Sequence, residues 1–249
     1  MSTRGKILTT VVVIFFVCLV VWVVRTTPKE PPPIEKVEPP TVMEYEGTTL
    51  SEEQDGKIIW ELTCDKMRVD SITQDMELTN VKGKFYGDED KIWELTAARG
   101  IYDRTEKIIY VEGDVFITDK EGSELRSEEL IWRTDEETLT ALGKVNVKKD
   151  DGSELRAEEL IWFSKEEIIT ATGDVYALND DGSKLLSDKL EWFIAEKKVI
   201  ATGNVKIAKD DMRAFGDLAY AENDFKKFGL LGHAKVLDGV SDDDESMKF

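Results

Sequence analysis

Gly113 to Thr202 reads GDVFITDKEGSELRSEELIWRTDEETLTAL, then GKVNVKKDDGSELRAEELIWFSKEEIITAT, then GDVYALNDDGSKLLSDKLEWFIAEKKVIAT. These are three copies of one thirty-residue unit with no insertion between them. Gly113, Gly143, Gly173 and Gly203 share a phase, and so do Trp132, Trp162 and Trp192. A fixed period of this length marks a repeat architecture in which neighbouring units bury each other's apolar faces.

Inside a unit, Leu139, Ala141, Gly143, Val145 and Val147 alternate with Thr140, Lys144 and Asn146. Period-two alternation predicts a strand with one buried face. Ile169, Val175 and Ala177 repeat the pattern, as do Val199, Val205 and Ile207, and, one copy earlier, Ile109, Val115 and Ile117. The mid-strand glycine marks a bend, a bulge or a close backbone approach. An Asp-Gly turn follows, at Asp150-Asp151-Gly152 and Asp180-Asp181-Gly182, and Asp-Gly between alternating segments signals a hairpin. The second strand is Glu154 to Phe163. Leu155 and Ala157 share a face, and Glu158-Glu159 slips the phase so that Leu160 and Trp162 return to it. That slip predicts a bulge in this second strand. Each repeat is then two long strands, each bent near its middle.

The array extends both ways. Gly83 to Glu112 keeps the length of thirty, and Gly47 to Lys82 is longer, with Trp60 in an IWELT string that recurs at Ile92 to Thr96. Gly203 to Leu231 lacks the tryptophan, and Gly232 to Val236 resembles the first strand of an unfinished unit. No proline occurs from Val42 to Phe249, as a continuous ladder of central strands requires. The expected fold is all-β: an elongated, open β-jelly-roll of antiparallel strands over residues 42–240. Its two sheets would face each other at about 10 Å across an apolar slot, with unpaired strands at both ends.

Ahead of it, Ile7 to Val24 (ILTTVVVIFFVCLVVWVV) is an uncharged run of eighteen residues. As a helix it spans about 27 Å, close to the bilayer core. Val23-Val24-Arg25-Thr26 offers no signal-peptidase site, and Phe16-Val17 before Cys18 do not fit a lipoprotein signal. A single uncleaved transmembrane anchor at 7–24 is expected, with residues 1–6 on its other side. Residues 25–41 form a linker holding all six prolines, between Pro28 and Pro40, and a polyproline spacer of this kind reaches roughly 50 Å. Residues 241–249, SDDDESMKF, are an acidic tail.

Composition narrows the function. In 249 residues the formal charge is −19, which excludes nucleic acid as a partner, since phosphate binding needs cationic surfaces. Cys18 and Cys64 lie in an apolar run and the soluble part respectively, so no disulfide is expected. His233 is the single histidine, which removes two-histidine metal sites and most Ser/His/Asp arrangements. The Asp-Asp-Gly turns lack calcium-loop spacing. Glu128-Glu129 and Glu158-Glu159 are adjacent strand residues that point apart, unlike the converging carboxylates of a glycosidase. The chain reads as a non-enzyme with no cofactor and no metal.

The run L-x-A-x-G-x-V-x-V, followed by a turn and a strand ending in L-x-W, resembles the OstA/LptA-type repeat of lipopolysaccharide transport. The layout resembles the LptC family: one anchor, then Tyr45 to Thr49, Trp60-Glu61-Leu62, Trp93 to Ala97 and Gly113-x-Val115, with extra LptA-like repeats over roughly Gly143 to Thr202. This resemblance implies a single-pass inner-membrane protein, cytoplasmic at its N-terminus and periplasmic in its main domain. It implies lipopolysaccharide as ligand. It also implies an inner-membrane ATP-binding-cassette exporter of the LptB/LptF/LptG type at the anchor and N-terminal edge strand, and an LptA-type protein at the C-terminal edge strand. Acyl chains would lie against Val115, Trp132, Leu139, Val145, Val147, Trp162, Ile169, Val175, Trp192, Val199 and Val205, positions that serve equally well as packing residues. A membrane-tethered scaffold that binds proteins by edge pairing, with no lipid in the slot, is the second function class these features allow.

Overall fold

The computed structural model describes residues 42–54, 56–87, 91–222 and 227–239; the anchor, the linker and the tail expected from the sequence lie outside the described residues. Fourteen strands follow one another: β1 Val42–Gln54, β2 Lys57–Asp70, β3 Met76–Tyr86, β4 Ile92–Asp103, β5 Ile108–Asp119, β6 Glu124–Arg133 and β7 Thr138–Lys148, then β8 Glu154–Phe163, β9 Ile168–Leu178, β10 Lys184–Phe193, β11 Lys198–Lys209, β12 Met212–Glu222, β13 Lys227–Leu231 and β14 Lys235–Leu237. No helix occurs among the described residues. From β1 to β13 consecutive strands pair antiparallel in a single open sheet, and β14 pairs with β12 rather than with β13. The two sheets expected from the sequence are two arms of this one sheet.

Four ring contacts show that the sheet folds back on itself. Trp93 on β4 meets Trp162 on β8 with centroids 6.2 Å apart, and Trp60 on β2 meets Trp132 on β6 at 6.5 Å. Phe85 on β3 meets Trp132 at 4.8 Å, and Tyr102 on β4 meets Trp60 at 5.5 Å. Four strands of flat sheet span about 19 Å, so these rings meet only because the strands bend. The first arm carries the Asp-Gly turns together with Trp60, Phe85 and Trp93. The second carries Tyr102, Trp132, Trp162 and Trp192. All four contacts run from one arm to the other.

The bend has a specific backbone cause. Gly113, Gly143, Gly173 and Gly203 take φ of +83°, +75°, +82° and +79°, and the residues after them, Asp114, Lys144, Asp174 and Asn204, take +50°, +48°, +45° and +48°. Two successive left-handed residues turn the strand sharply and shift the register by one. Leu142 pairs with Glu159 and Val145 with Ala157, so β7 advances three residues while β8 advances two. The extra residue therefore belongs to the glycine strand, and the bulge expected at Glu158-Glu159 is corrected to Gly143-Lys144 and its equivalents. At the chain end, Gly232 and His233 repeat the conformation at +67° and +46°, which is why β13 and β14 read as one strand broken at its corner.

Each corner glycine also meets the adjacent strand. A Cβ on Gly173 would lie 2.8 Å from Glu158 Cβ, and one on Gly113 2.9 Å from Ala98 Cβ. Bend, bulge and close approach thus coincide at one residue. The residue after the glycine often reaches the same neighbour: Lys144 Nζ donates to Glu128 at 2.6 Å, Asn204 Nδ2 to Asp188 at 2.9 Å, and His233 lies 2.8 Å from Asp217.

The Asp-Gly turns work as turn chemistry predicts. Asp151 and Asp181 accept the Ser153 and Ser183 amides at 2.8 and 2.9 Å. Lys209, 2.6 Å away, and then the Ser183 hydroxyl and amide, hold the Asp181 carboxyl well below the usual carboxylate range.

Two outcomes follow. Gly173→Ala meets both an unfavourable φ and a filled neighbour, and should lower stability by about 2 kcal/mol in chemical denaturation. Asp181→Asn should lower stability at neutral pH by about 0.5 kcal/mol, the scale of an exposed pair. A depressed carboxylate contributes above its unfolded value of about 3.9 and loses that contribution as pH falls through its folded value. The gap between variant and parent should therefore narrow in melts run below about pH 4.

Candidate functional site: the slot between the arms

Register converts the repeats into continuous apolar tracks. On the second arm, Tyr102, Ile109, Trp132, Leu139, Trp162, Ile169, Trp192, Val199 and Ala221 stand side by side across consecutive strands. Nearer the bend, Leu130, Ala141, Leu160, Ala171, Leu190 and Ala201 alternate large and small in the same way. On the first arm, Ile117, Leu125, Val147, Leu155, Ala177, Leu185 and Ile207 form the facing track. No charged side chain interrupts these rows, although 34% of the chain is charged. Charge sits on the outward positions because burying it unpaired is costly.

Burial divides the expected site residues into two groups. Val115, Val145, Val175 and Val205 are 1%, 2%, 0% and 1% exposed. They stand next to the bend, where the arms converge, and form the floor of the slot. Trp132, Leu139, Val147, Trp162, Ile169, Trp192 and Val199 are half-buried and lie further out along the arms. Leu125, Leu155 and Leu185 are half-buried with them on the first arm, and the sequence reading left these three out of the slot. Their signal was the leucine two residues past each Gly-Ser turn.

The slot is filled unevenly. Among the described residues, the cluster from β2 to β8 holds sixteen buried apolar side chains, including Trp60, Leu62, Leu78 and Leu95. Between β8 and β10 the buried set is Ala157, Ala171, Val175 and Leu190, and further on it is Ala201, Val205 and Ala219. Early in the sheet, then, aromatic rings bridge the arms and make a dry core. Towards the C-terminus the closed residues are mostly small, and the large ones (Leu185, Trp192, Val199, Ile207) remain half-open. Here Lys149 Nζ stands 5.7 Å from the Trp192 ring, where earlier repeats place a second aromatic. Each Å² of apolar area buried in such a slot is worth about 25 cal/mol.

Two hydroxyls sit in the floor. Ser127, Ala157 and Ser187 occupy equivalent places beside the valines. Ser127 Oγ donates to the Glu129 carbonyl at 2.9 Å, whereas Ser187 Oγ is buried without a partner among the described residues. Cys64 is buried near the other end, its thiol pushed up by burial and 3.7 Å from the Thr48 carbonyl. The described residues hold no cluster of three or more side chains suited to a metal ion.

The sequence profile of the family described as lipopolysaccharide-assembly, LptC-related, matches residues 10–157. No curated protein matches. Among solved structures, the chain is similar to the crystal structure of LptH, the LptA-homologous periplasmic component of the lipopolysaccharide transport device from Pseudomonas aeruginosa. The identity is 10%, over 58% of this chain and 93% of that one, with a TM-score of 0.28.

The repeats supply their own control for the buried hydroxyls. Ser187→Ala, which copies Ala157, should raise stability by about 1 kcal/mol, because it removes a buried polar group that gains nothing. Ser127→Ala loses a hydrogen bond together with its hydroxyl and should be neutral or destabilising by up to about 1 kcal/mol. Paired urea titrations of the two variants measure the difference.

Proposed function

Because the chain belongs to the LptC-related family of lipopolysaccharide-assembly proteins, we propose that it carries lipopolysaccharide through the slot between its two arms. Acyl chains lie against the half-buried track of Leu139, Val147, Trp162, Ile169, Leu185, Trp192 and Val199. Val115, Val145, Val175 and Val205 form the floor beneath them, and Trp132 marks where the dry aromatic core begins. Sugars and phosphates stay in water outside the arms. The observation that carries this reading is the set of unbroken apolar rows that continue across the repeats and loosen towards the C-terminal end.

In this proposal the 7–24 segment anchors the chain in the inner membrane, with its N-terminus in the cytoplasm and residues 42–240 in the periplasm. Lipid arrives from an ATP-binding-cassette exporter next to the anchor and the β1 edge, and leaves at the β13–β14 edge to an LptA-type protein. The exporter supplies the energy, and the chain itself catalyses nothing. The profile match ends in β8, while β9 to β12 repeat the same unit. The added strands therefore lengthen the route, at about 10 Å for each pair.

A photo-crosslinking residue placed at Leu185 or Val199 in the full chain, expressed in cells, should form an adduct with lipopolysaccharide. The same residue at outward-facing Lys206 should form none. Absence of lipid adducts at both inward sites, with β1-edge and β14-edge crosslinks to proteins retained, would overturn lipid carriage and leave a scaffold that works by edge pairing alone.

A further inference from the structure

We infer that the outward face of the second arm is a docking surface for the same face of a second copy of this chain. The inference does not depend on lipid in the slot. On the second arm Ile109, Trp132, Leu139 and Ile169 pack inside the slot, so the residues flanking each of them in its strand point the other way. Most of those flanking residues carry no charge. One outward row runs in register through Tyr110, Ile131, Thr140, Ile161, Thr170 and Ile200. The other runs through Ile108, Thr138, Phe163, Ile168 and Phe193.

An antiparallel sheet with one face in water alternates apolar and polar residues. The first arm does so, turning Lys148, Arg156, Lys184 and Lys206 outward and exposed. On the second arm the alternation stops. Leu160-Ile161-Trp162-Phe163 in β8 is a continuous apolar run, of the kind found in strands covered on both faces. The outward face is also well packed: Thr138 and Thr140 are only 9% and 8% exposed, set between half-buried isoleucine and phenylalanine side chains. The slot covers the inner face of these strands, and no described residue covers the outer one.

Charge and size favour an identical chain as the cover. Three charged residues enter the two rows between β5 and β11: Arg133, Glu191 and Lys198. Glu191 pairs with Lys189 at 2.8 Å, and Lys198 Nζ lies 5.8 Å from the Phe193 ring. With two positive charges and one negative, this face lets a second chain of formal charge −19 approach without the self-repulsion expected of the whole. Glu112, Glu129 and Glu159 stand one row nearer the bend, where they form a charged rim beside an apolar centre. From Ile101 on β4 to Tyr220 on β12, the first row crosses eight strand spacings, about 38 Å, and the two rows are about 14 Å wide. That is about 500 Å² on each copy, at the upper end of what a monomer leaves exposed. A pair buries about 1,000 Å², the size at which a specific interface begins. Sheets stack face to face at about 10 Å, and a two-fold pairing sets the middle of the patch, Ile161 and Phe163 on β8, against the middle of its copy.

The test uses the full chain in cell membranes, with p-benzoylphenylalanine replacing Phe163 and two differently tagged versions expressed together. Irradiation should give a covalent dimer carrying both tags, with the adduct mapped by mass spectrometry to β7, β8 or β9 of the second copy. The same probe at Lys206, on the outward face of the first arm, should give no such dimer. Ile161→Lys, and separately Ile131→Lys, should cut the two-tag adduct by about tenfold or more, since each sets an unpaired charge in the interface. Circular dichroism of both variants should keep the parent β-sheet signal. The inference is overturned by an absence of two-tag adducts at 163, by adducts to lipid or to a different protein in their place, or by an adduct that persists undiminished in a folded Ile161→Lys or Ile131→Lys chain.

Discussion

The left-handed pair at the middle of each glycine strand is the constraint on which the rest of the structure depends. An antiparallel meander of fourteen strands would by itself be a broad twisted sheet with one apolar face and nothing to cover it. Placing Gly113, Gly143, Gly173 and Gly203 at the same rung turns every repeat at the same point. The apolar face then folds onto itself, and the tryptophans of the second arm reach the aromatic residues of the first. The strain is tolerated because glycine takes the more extreme position. The residue after it is over-determined, in several repeats, by a hydrogen bond to the neighbouring strand.

Much of this was legible in the amino-acid order. Strand limits such as Glu154 to Phe163, the Asp-Gly turns and the inward alternation follow from local patterning, which acts within a few residues. An unfinished unit at Gly232 to Val236 was legible too, because it copies an earlier phase, but not the break that separates β13 from β14. Two things were not. The strand carrying the extra residue could not be read from Glu158-Glu159 alone, since register is a property of two strands together. A positive φ at Lys144 also has no compositional sign, lysine being a poor candidate for it.

The candidate site was partly legible for a similar reason. Val115, Val145, Val175 and Val205 repeat so regularly that they stand out, yet regularity marks the floor beside the bend as clearly as a lining. Separating floor from lining requires knowing which side chains face each other across the slot. That depends on an offset of two to four strands, which no local pattern encodes. Leu125 packs with Trp132, and Leu155 and Leu185 with Trp192, only because the first arm lies opposite the second. The uneven filling is likewise a matter of pairing: Trp162 meets Trp93, while Trp192 meets Lys149.

That offset also bears on how the molecule holds together in time. In a simple solenoid each unit rests on the next one, and stability can be summed neighbour by neighbour. Here Trp60 rests on Trp132 and Trp93 on Trp162, more than two periods along the chain. No single repeat can therefore complete its own interior before later ones have formed. Forming these contacts requires closing long loops first, which slows the approach to the native state. In return, the early half of the sheet gains or loses its order as a block rather than strand by strand. The less filled C-terminal half has fewer such long ties and can open while the block stays closed.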